Sequence, residues 1–143
     1  MDYRPITEDY SVAGQISADD MEPIKAAGFR SVVCNRPDAE DGAVPHDEIA
    51  AAAREAGLEF RYIPVVSGQM TQQNVEDQAA ALRDLPRPML AYCRSGTRST
   101  LLWSLAQASL SMTPNDIAAH AAGAGYDVAP IRPLLDMLAA RRA

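Results

Sequence analysis

The sequence predicts an α/β fold in which a central, mainly parallel sheet is flanked by helices. Short runs of apolar, β-favouring residues alternate with longer runs whose apolar residues recur at helical spacing. This alternation is typical of consecutive β-α-β units, whose strands become parallel neighbours covered by helices on both faces. The chain has 143 residues, which fits one domain, and we expect residues 1–143 to form it.

The first half of the chain predicts three strands and two helices. Glycines mark where both helices end, since Gly28 and Gly57 each follow the last residue of helical spacing. Ile49 and Ala53 belong to the apolar face of the second helix. The expected elements are strands at 10–14, 29–34 and 58–66 and helices at 18–27 and 45–56.

The second half predicts one further strand, at 89–92, and then helices to the end of the chain. Thr71 is suited to cap a helix before it, and Thr113 is followed by a proline at the first helical position of another. A helix over 99–110 follows the strand, and a last helix carries Leu134 and Leu138 at helical spacing. The later helices are therefore gathered at the C-terminal end.

Composition excludes several classes of partner. With 13 basic and 19 acidic residues the net charge is −6, the wrong sign for nucleic acid or an anionic membrane. No apolar run is long enough to span a bilayer, and no signal-peptide pattern opens the chain, so we expect a cytoplasmic protein. Two cysteines and two histidines without metal-ligand spacing predict no metal and no cofactor.

One segment combines residues that carry chemistry, where the strand at 89–92 delivers Cys93 to a tight turn before a helix. Open α/β sheets bind ligands at this place, outside the carboxyl ends of their strands. Backbone N–H groups of the turn and the N-terminus of the helix can cradle an anion and stabilise a thiolate. Cys93 is therefore the predicted nucleophile, and Arg98 is predicted to hold two oxygens of a bound oxyanion.

The other residues of this turn have supporting roles in the prediction. Gly96 permits a backbone angle that other residues adopt at a cost, and Arg94 adds a second positive charge. Thr97 or Ser99 can donate a hydroxyl hydrogen bond to the sulfur. Arg94, Ser95, Gly96, Thr97 and Ser99 are the predicted substrate-binding residues, together with Arg36 at the mouth of the pocket unless it pairs with Asp38 or Glu40.

The run Cys-Arg-Ser-Gly-Thr-Arg-Ser at 93–99 resembles the anion loops of cysteine-based phosphatases and rhodaneses. Nearly the whole chain is similar to a bacterial family, the phosphatase-like domain of beta-lactamase hydrolase-like proteins, whose members are also described as small sulfurtransferases. This resemblance implies a tyrosine-phosphatase-like fold. The segments that carry it are Val12 through Ser17, Gly28 through Glu40, Gly57 through Val65, Tyr92 through Ser99 and Gly125 through Asp127.

Two departures from the tyrosine-phosphatase pattern favour sulfur chemistry. That pattern places five residues between cysteine and arginine, whereas Cys93 and Arg98 are separated by four, as in rhodaneses. Phosphatases of this kind also use an aspartic acid to protonate the leaving oxygen, and the stretch 64–69, where it would lie, contains no carboxylate. Asp38, Glu40 and Asp41 lie in another loop and could substitute.

The sequence therefore predicts sulfur transfer through a Cys93 persulfide. Thiosulfate or a low-molecular-weight persulfide would be the donor, and a thiol or cyanide would accept the sulfur. The alternative is a phosphatase that hydrolyses phosphotyrosine or a small phosphate ester through a Cys93 phosphoenzyme. A third hypothesis is a sensor whose thiol is modified without turnover. Cys34 is predicted to be a buried small side chain, with a protective disulfide to Cys93 as the alternative that the resemblance implies.

Overall fold

The computed structural model describes residues 1–142; Ala143, the last residue of the predicted domain, lies outside them. Within these residues the chain forms five strands and six α-helices. The strands are β1 (Tyr3–Thr7), β2 (Tyr10–Ala13), β3 (Ser31–Cys34), β4 (Glu59–Tyr62) and β5 (Met89–Tyr92). The helices are α1 (Met21–Ala26), α2 (His46–Glu55), α3 (Gln72–Asp84), α4 (Thr97–Leu110), α5 (Pro114–Gly123) and α6 (Arg132–Arg141).

The strands form one sheet in the order β1-β2-β5-β3-β4, and the predicted α/β class is confirmed. β2, β5, β3 and β4 run parallel, while β1 pairs antiparallel with β2 at the edge. The sequence prediction missed β1. Tyr3, Arg4 and Pro5 are all exposed, so this strand lacks the apolar alternation that marks a strand, and an edge position tolerates a proline without an N–H.

Several predicted elements are shorter in the structure, among them the strand expected over 29–34, which starts at Ser31, and two elements differ most. The helix expected over 18–27 is a 3₁₀ turn at Ala18–Asp20 followed by α1, whose first turn holds Pro23. A proline is tolerated there because the first N–H groups of a helix lack partners within it. The strand expected over 58–66 stops at Tyr62, although Ile63 and Val65 still donate backbone hydrogen bonds to the end of β3 and to Asn35.

Helices cover both faces of the sheet and bury its apolar side chains. α1 and α2 cover one face, where Ile24 and Ile49 lie in the core, and α3 to α6 cover the other around the buried Trp103. The ring of Trp103 stacks on that of Tyr10 at a centroid distance of 5.8 Å. Among residues 1–142, no helix has the length and apolar character that crossing a bilayer requires.

A closed ring of buried hydrogen bonds lies beneath the start of α4. The Asn35 amide donates to Gln78 (3.2 Å), the Gln78 amide donates to the Tyr10 hydroxyl (3.1 Å), and that hydroxyl donates to the Ser99 carbonyl (2.8 Å). The Ser99 hydroxyl donates back to Asn35 at 2.8 Å and closes the ring. The ring joins β2, β3, α3 and α4, and so fixes α4 relative to the sheet.

Tyr10→Phe should lower the free energy of unfolding by about 1–3 kcal/mol, since it leaves the Gln78 amide and the Ser99 carbonyl buried without their partner. Urea denaturation measures this loss. Tyr3→Phe is the matched control, because Tyr3 is exposed. Equal stability of the two variants would contradict a stabilising role for the ring.

Candidate active site

The central strand β5 places Cys93 at the carboxyl edge of the sheet. β5 lies between β2 and β3, and the Cys93 N–H extends the parallel ladder by donating to the Ala13 carbonyl at 3.2 Å. The chain then turns through residues 94–96 into α4. Cys93 is only 1% exposed, so its thiol forms the floor of this turn, which we term the Cys93 loop (residues 93–98).

The backbone of the Cys93 loop is folded around the sulfur. Gly96 has φ of +88°, a conformation that glycine adopts without steric cost, and its N–H donates to the Cys93 sulfur at 3.1 Å. α4 begins at the next residue, Thr97, so the positive end of the helix also faces the loop. Both groups stabilise negative charge on the sulfur or on an anion bound beside it.

Residues distant in sequence hold the loop from behind. The Tyr126 hydroxyl donates to the Ser95 carbonyl at 3.1 Å. Gly14 packs so closely that a Cβ there would lie 2.9 Å from the Arg94 carbonyl oxygen. The Arg4 guanidinium lies 5.5 Å from the centre of the Tyr126 ring. The loop is thus supported by the end of β2 and by the segment after α5.

Arg98 is held in place by Glu40. Its guanidinium forms a two-point ion pair with the Glu40 carboxylate, in which Nη2 lies 2.9 Å from Oε1, and Nη1 also donates to the Val65 carbonyl at 2.8 Å. Arg36 binds the same carboxylate through Nε at 3.0 Å. The hydrogen bond from Arg98, and then that from Arg36, hold the pKa of Glu40 below its usual value. In turn Glu40, and more weakly the neighbouring Cys93, raise the pKa of Arg98.

Two predicted site residues occupy positions behind the loop. The predicted hydrogen bond from Ser99 to the sulfur does not form, because the Ser99 hydroxyl is buried and donates its proton to Asn35. Arg36 is 5% exposed and pairs with Glu40, the alternative left open for it, while also binding backbone carbonyls of Asp41 and Gly42. Arg36 therefore stabilises the loop that carries Glu40.

The remaining predicted residues face outward. Arg94, Ser95 and Thr97 are exposed, and with Arg98 they line one end of a cavity of about 1050 Å³ that extends between α3, α4 and α6. The Ser95 and Thr97 hydroxyls lie 3.1 Å apart and bond to each other. Over residues 1–142 no three histidine, cysteine or acidic side chains are grouped to hold a metal ion.

Two of the loop carboxylates considered as general acids, Glu40 and Asp38, have lowered pKa values and are therefore held in their ionised form. Glu40 is paired with two arginines, as described. Burial opposes ionisation of Asp38, but hydrogen bonds from the backbone and ring of His46 lower the pKa of Asp38 overall; the His46 Nδ1 lies 2.7 Å from its carboxylate. An acid that is already ionised cannot protonate a leaving group.

Comparison with known proteins agrees with this fold and loop. Residues 2–110 match the profile of the phosphatase-like domain of beta-lactamase hydrolase-like protein. A beta-lactamase hydrolase-like protein of Xylella fastidiosa is 32% identical over 103 residues, which are 71% of this chain and 24% of that protein. The chain thus spans about a quarter of the length of the curated relatives it matches.

Solved structures extend the match over nearly the whole chain. A provisionally assigned phosphatase from Neisseria meningitidis is 30% identical, with a TM-score of 0.79 over 94% of this chain and 96% of that chain. Tk-PTP in its active form has a TM-score of 0.72 over 97% of both chains at 14% identity, which shows the fold alone. The predicted tyrosine-phosphatase-like fold is confirmed.

Gly96→Ala should slow alkylation of Cys93 at neutral pH by roughly tenfold, the effect of losing one hydrogen bond to a charged sulfur. An alanine is strained at φ +88°, and its Cβ would collide with the Tyr126 hydroxyl, so the N–H must move away from the sulfur. Iodoacetamide kinetics with peptide mapping measure the rate. Gly28→Ala is the matched control, since Gly28 has φ +103° with nothing within 4 Å. An unchanged rate in Gly96→Ala would contradict a role for this N–H.

Glu40→Gln should destabilise the protein near neutral pH but not in acid. Because the pKa of Glu40 is lower in the folded state than in the unfolded state, ionised Glu40 stabilises the fold at pH values above the ordinary carboxyl pKa. This stabilisation is lost as the pH falls through the lowered pKa. The difference in unfolding free energy between wild type and variant should therefore shrink as the pH falls below the ordinary carboxyl pKa, and vanish once the lowered pKa of Glu40 has been passed and Glu40 is itself neutral. Urea denaturation across pH measures it. Glu22→Gln, at an exposed position of α1, should show no such difference; a pH-independent difference in Glu40→Gln would contradict the ion pair.

Proposed function

Because this chain belongs to the family of phosphatase-like domains of beta-lactamase hydrolase-like proteins, we propose that it is a cysteine-dependent phosphatase with Cys93 as its nucleophile. The single observation that supports this most is the geometry of the Cys93 loop. A sulfur that accepts the Gly96 N–H at 3.1 Å lies at the start of α4, beside an arginine held by a carboxylate. These are the parts needed to bind a phosphate group and attack it.

Sulfur transfer, the main expectation from sequence, thereby becomes the second candidate, and the phosphatase alternative comes first. The family model describes a phosphatase-like domain, the 30% identical structure from Neisseria meningitidis is a provisionally assigned phosphatase, and Tk-PTP shares the fold. The substrate class that we propose is a phosphate monoester, such as phosphotyrosine or a small phosphate ester. Arg98 would bind two of its oxygens, with Arg94, Ser95, Gly96 and Thr97 around the remainder.

The reaction proceeds in two displacements at phosphorus. The Cys93 thiolate attacks phosphorus and forms a P–S bond as the P–O bond to the leaving group breaks, and the leaving group departs with the electron pair. Water then attacks the phosphocysteine, the P–S bond breaks, inorganic phosphate is released with one proton passing to solvent, and the thiolate is restored. Loop amides and Arg98 stabilise the charge on the phosphoryl oxygens in both steps.

The ionised carboxylates restrict the leaving group. Glu40 and Asp38 are both engaged by cationic or hydrogen-bonding partners that lower their pKa values, so neither supplies a proton to the departing oxygen. An alcohol that leaves without protonation must be acidic. We therefore expect aryl phosphates to react faster than alkyl phosphates, because a phenolate is the more stable leaving group.

Sulfur transfer is kept as a second candidate on a specific observation. Four residues separate Cys93 and Arg98, so the loop encloses a smaller anion site than a loop with five intervening residues would. Sulfur transfer also needs no general acid, because no alkoxide leaves. In that reaction the thiolate attacks the outer sulfur of thiosulfate, the S–S bond breaks and sulfite leaves. A thiol or cyanide then removes the sulfur from the Cys93 persulfide and restores the thiolate.

Parallel assays of 4-nitrophenyl phosphate hydrolysis and of sulfur transfer from thiosulfate to cyanide separate the two candidates. We expect hydrolysis that is abolished in Cys93→Ser and reduced at least about a hundredfold in Arg98→Ala, whose loss removes an oriented charge from the transition state. Cys34→Ser, which removes the other buried cysteine at the end of β3 and leaves Cys93 intact, is the control and should remain active.

Intact mass spectrometry of acid-quenched reactions identifies the covalent intermediate. A phosphoryl group on Cys93 supports the phosphatase. One added sulfur atom on Cys93, without phosphate ester turnover, would overturn it in favour of sulfur transfer. Modification of Cys93 that neither water, thiol nor cyanide discharges would reject both enzymes in favour of a sensor.

A further inference from the structure

An apolar groove begins at the Cys93 loop and extends along α4. It is the cavity of about 1050 Å³ between α3, α4 and α6, and we term it the α4 groove. Ser95, Thr97 and Arg98 line its first end, so it is continuous with the place where an anion would react. Small-molecule sites are typically concave and mostly apolar, with a few polar groups at the reacting end.

Exposed apolar side chains of the protein are concentrated on this groove. Of the five large apolar side chains that are exposed within residues 1–142, three line it, namely Val66 (51%), Leu134 (38%) and Met137 (41%). Leu101 and Leu105 of α4 form its floor. A contiguous exposed apolar surface in a soluble domain marks a binding site more often than isolated apolar residues do.

The charges of the groove have the opposite sign to those of the whole chain. Arg83, Arg94, Arg98 and Arg141 line it, with Glu76 as the one acidic residue among the described lining residues, while the chain carries −6 overall. Arg94 is exposed and makes no hydrogen bond or ion pair within residues 1–142, so its charge is available to a ligand. The groove thus combines cations at its ends with an apolar middle.

The length of the groove suits an extended chain. Thr97 and Leu105 both line it and are eight residues apart on α4, which corresponds to roughly 12 Å along the helix axis. A small ester would fill only the end at the Cys93 loop. The apolar side chains beyond it would then remain in contact with water.

We infer that the α4 groove binds an apolar tail attached to the anion that reacts at Cys93, so that the substrate is an amphiphilic phosphate ester. This inference rests on the proposed function for its reaction, and it deepens that function by naming the substrate class. A phosphopeptide laid in the groove would also place its reacting group at the Cys93 loop, but its backbone N–H and C=O groups would need partners that the mostly apolar lining does not offer. The apolar tail and the anion belong to one molecule because one cavity holds both binding sites.

A series of 4-n-alkylphenyl phosphates, from methyl to octyl, tests the inference below the critical micelle concentration of each member. The phenol leaving group is nearly constant along the series, so changes report the tail. We expect kcat/KM to rise roughly fourfold per methylene, the effect of burying each one in an apolar site. Leu134→Asp should flatten this rise, whereas Ala140→Asp, at an exposed position of the same helix outside the groove, should leave the octyl-to-methyl ratio unchanged.

A binding measurement separates failure of this inference from failure of the proposed function. Calorimetry with n-alkylphosphonates and Cys93→Ser protein requires no turnover. Affinity that rises with chain length supports the groove even if no ester is hydrolysed, in which case only the phosphatase is rejected. Hydrolysis and phosphonate binding that are both independent of chain length would overturn the inference, as would an equal loss of chain-length dependence in Ala140→Asp.

Discussion

The hydrogen bond from the Gly96 N–H to the Cys93 sulfur is the interaction on which the site depends. It forms only if the loop turns back on itself within three residues, and that turn requires the positive φ of Gly96. Three contacts hold this turn in place. The Tyr126 hydroxyl donates to the Ser95 carbonyl, and Gly14 leaves room for the loop to pack against the end of β2. The Ser99 hydroxyl donates to Asn35 and so fixes the first turn of α4 to the sheet. A sulfur in this position is buried, accepts the Gly96 N–H and lies beside the start of α4, which suits a nucleophile that must carry charge.

The ion pair between Arg98 and Glu40 accounts for a chemical limit of the site. The same contacts that orient the Arg98 guanidinium lower the pKa of Glu40, so the carboxylate paired with Arg98 remains charged. One carboxylate cannot both fix an arginine through its ionised form and donate a proton. In the proposed phosphatase, this pairing favours an oriented charge at the anion site over proton donation by Glu40, which agrees with the expected preference for leaving groups that need no proton.

Much of this architecture could be predicted from sequence because its signals are local. The β5-loop-α4 unit is marked by an apolar run, a cysteine, a glycine and two arginines within a few residues, and the structure places them as a strand, a turn and a helix. The partner of Arg98 could not be found in this way, since Glu40 lies 58 residues away and its acidic loop resembles an ordinary solvated turn. Tyr126 is 31 residues from Ser95, and the sequence singled it out only because the segment Gly125 through Asp127 resembles the family. β1 was missed because an exposed edge strand carries no apolar pattern.

The lining of the α4 groove explains why the helices after β5 are so apolar on their outer sides. A helix that only covers a sheet needs one apolar stripe, with polar residues facing solvent. α4 instead buries Leu102 and Trp103 against the sheet and also lines the groove with Leu101 and Leu105. α6 lines the opposite side of the groove with Leu134 and Met137. Leu105 and Leu101 also belong to or pack against the core, whereas Leu134 and Met137 are exposed and lie outside it, where apolar groups lower solubility. Because Leu134 and Met137 line the same cavity as the Cys93 loop, their exposure supports the inference that the groove binds the apolar part of a substrate.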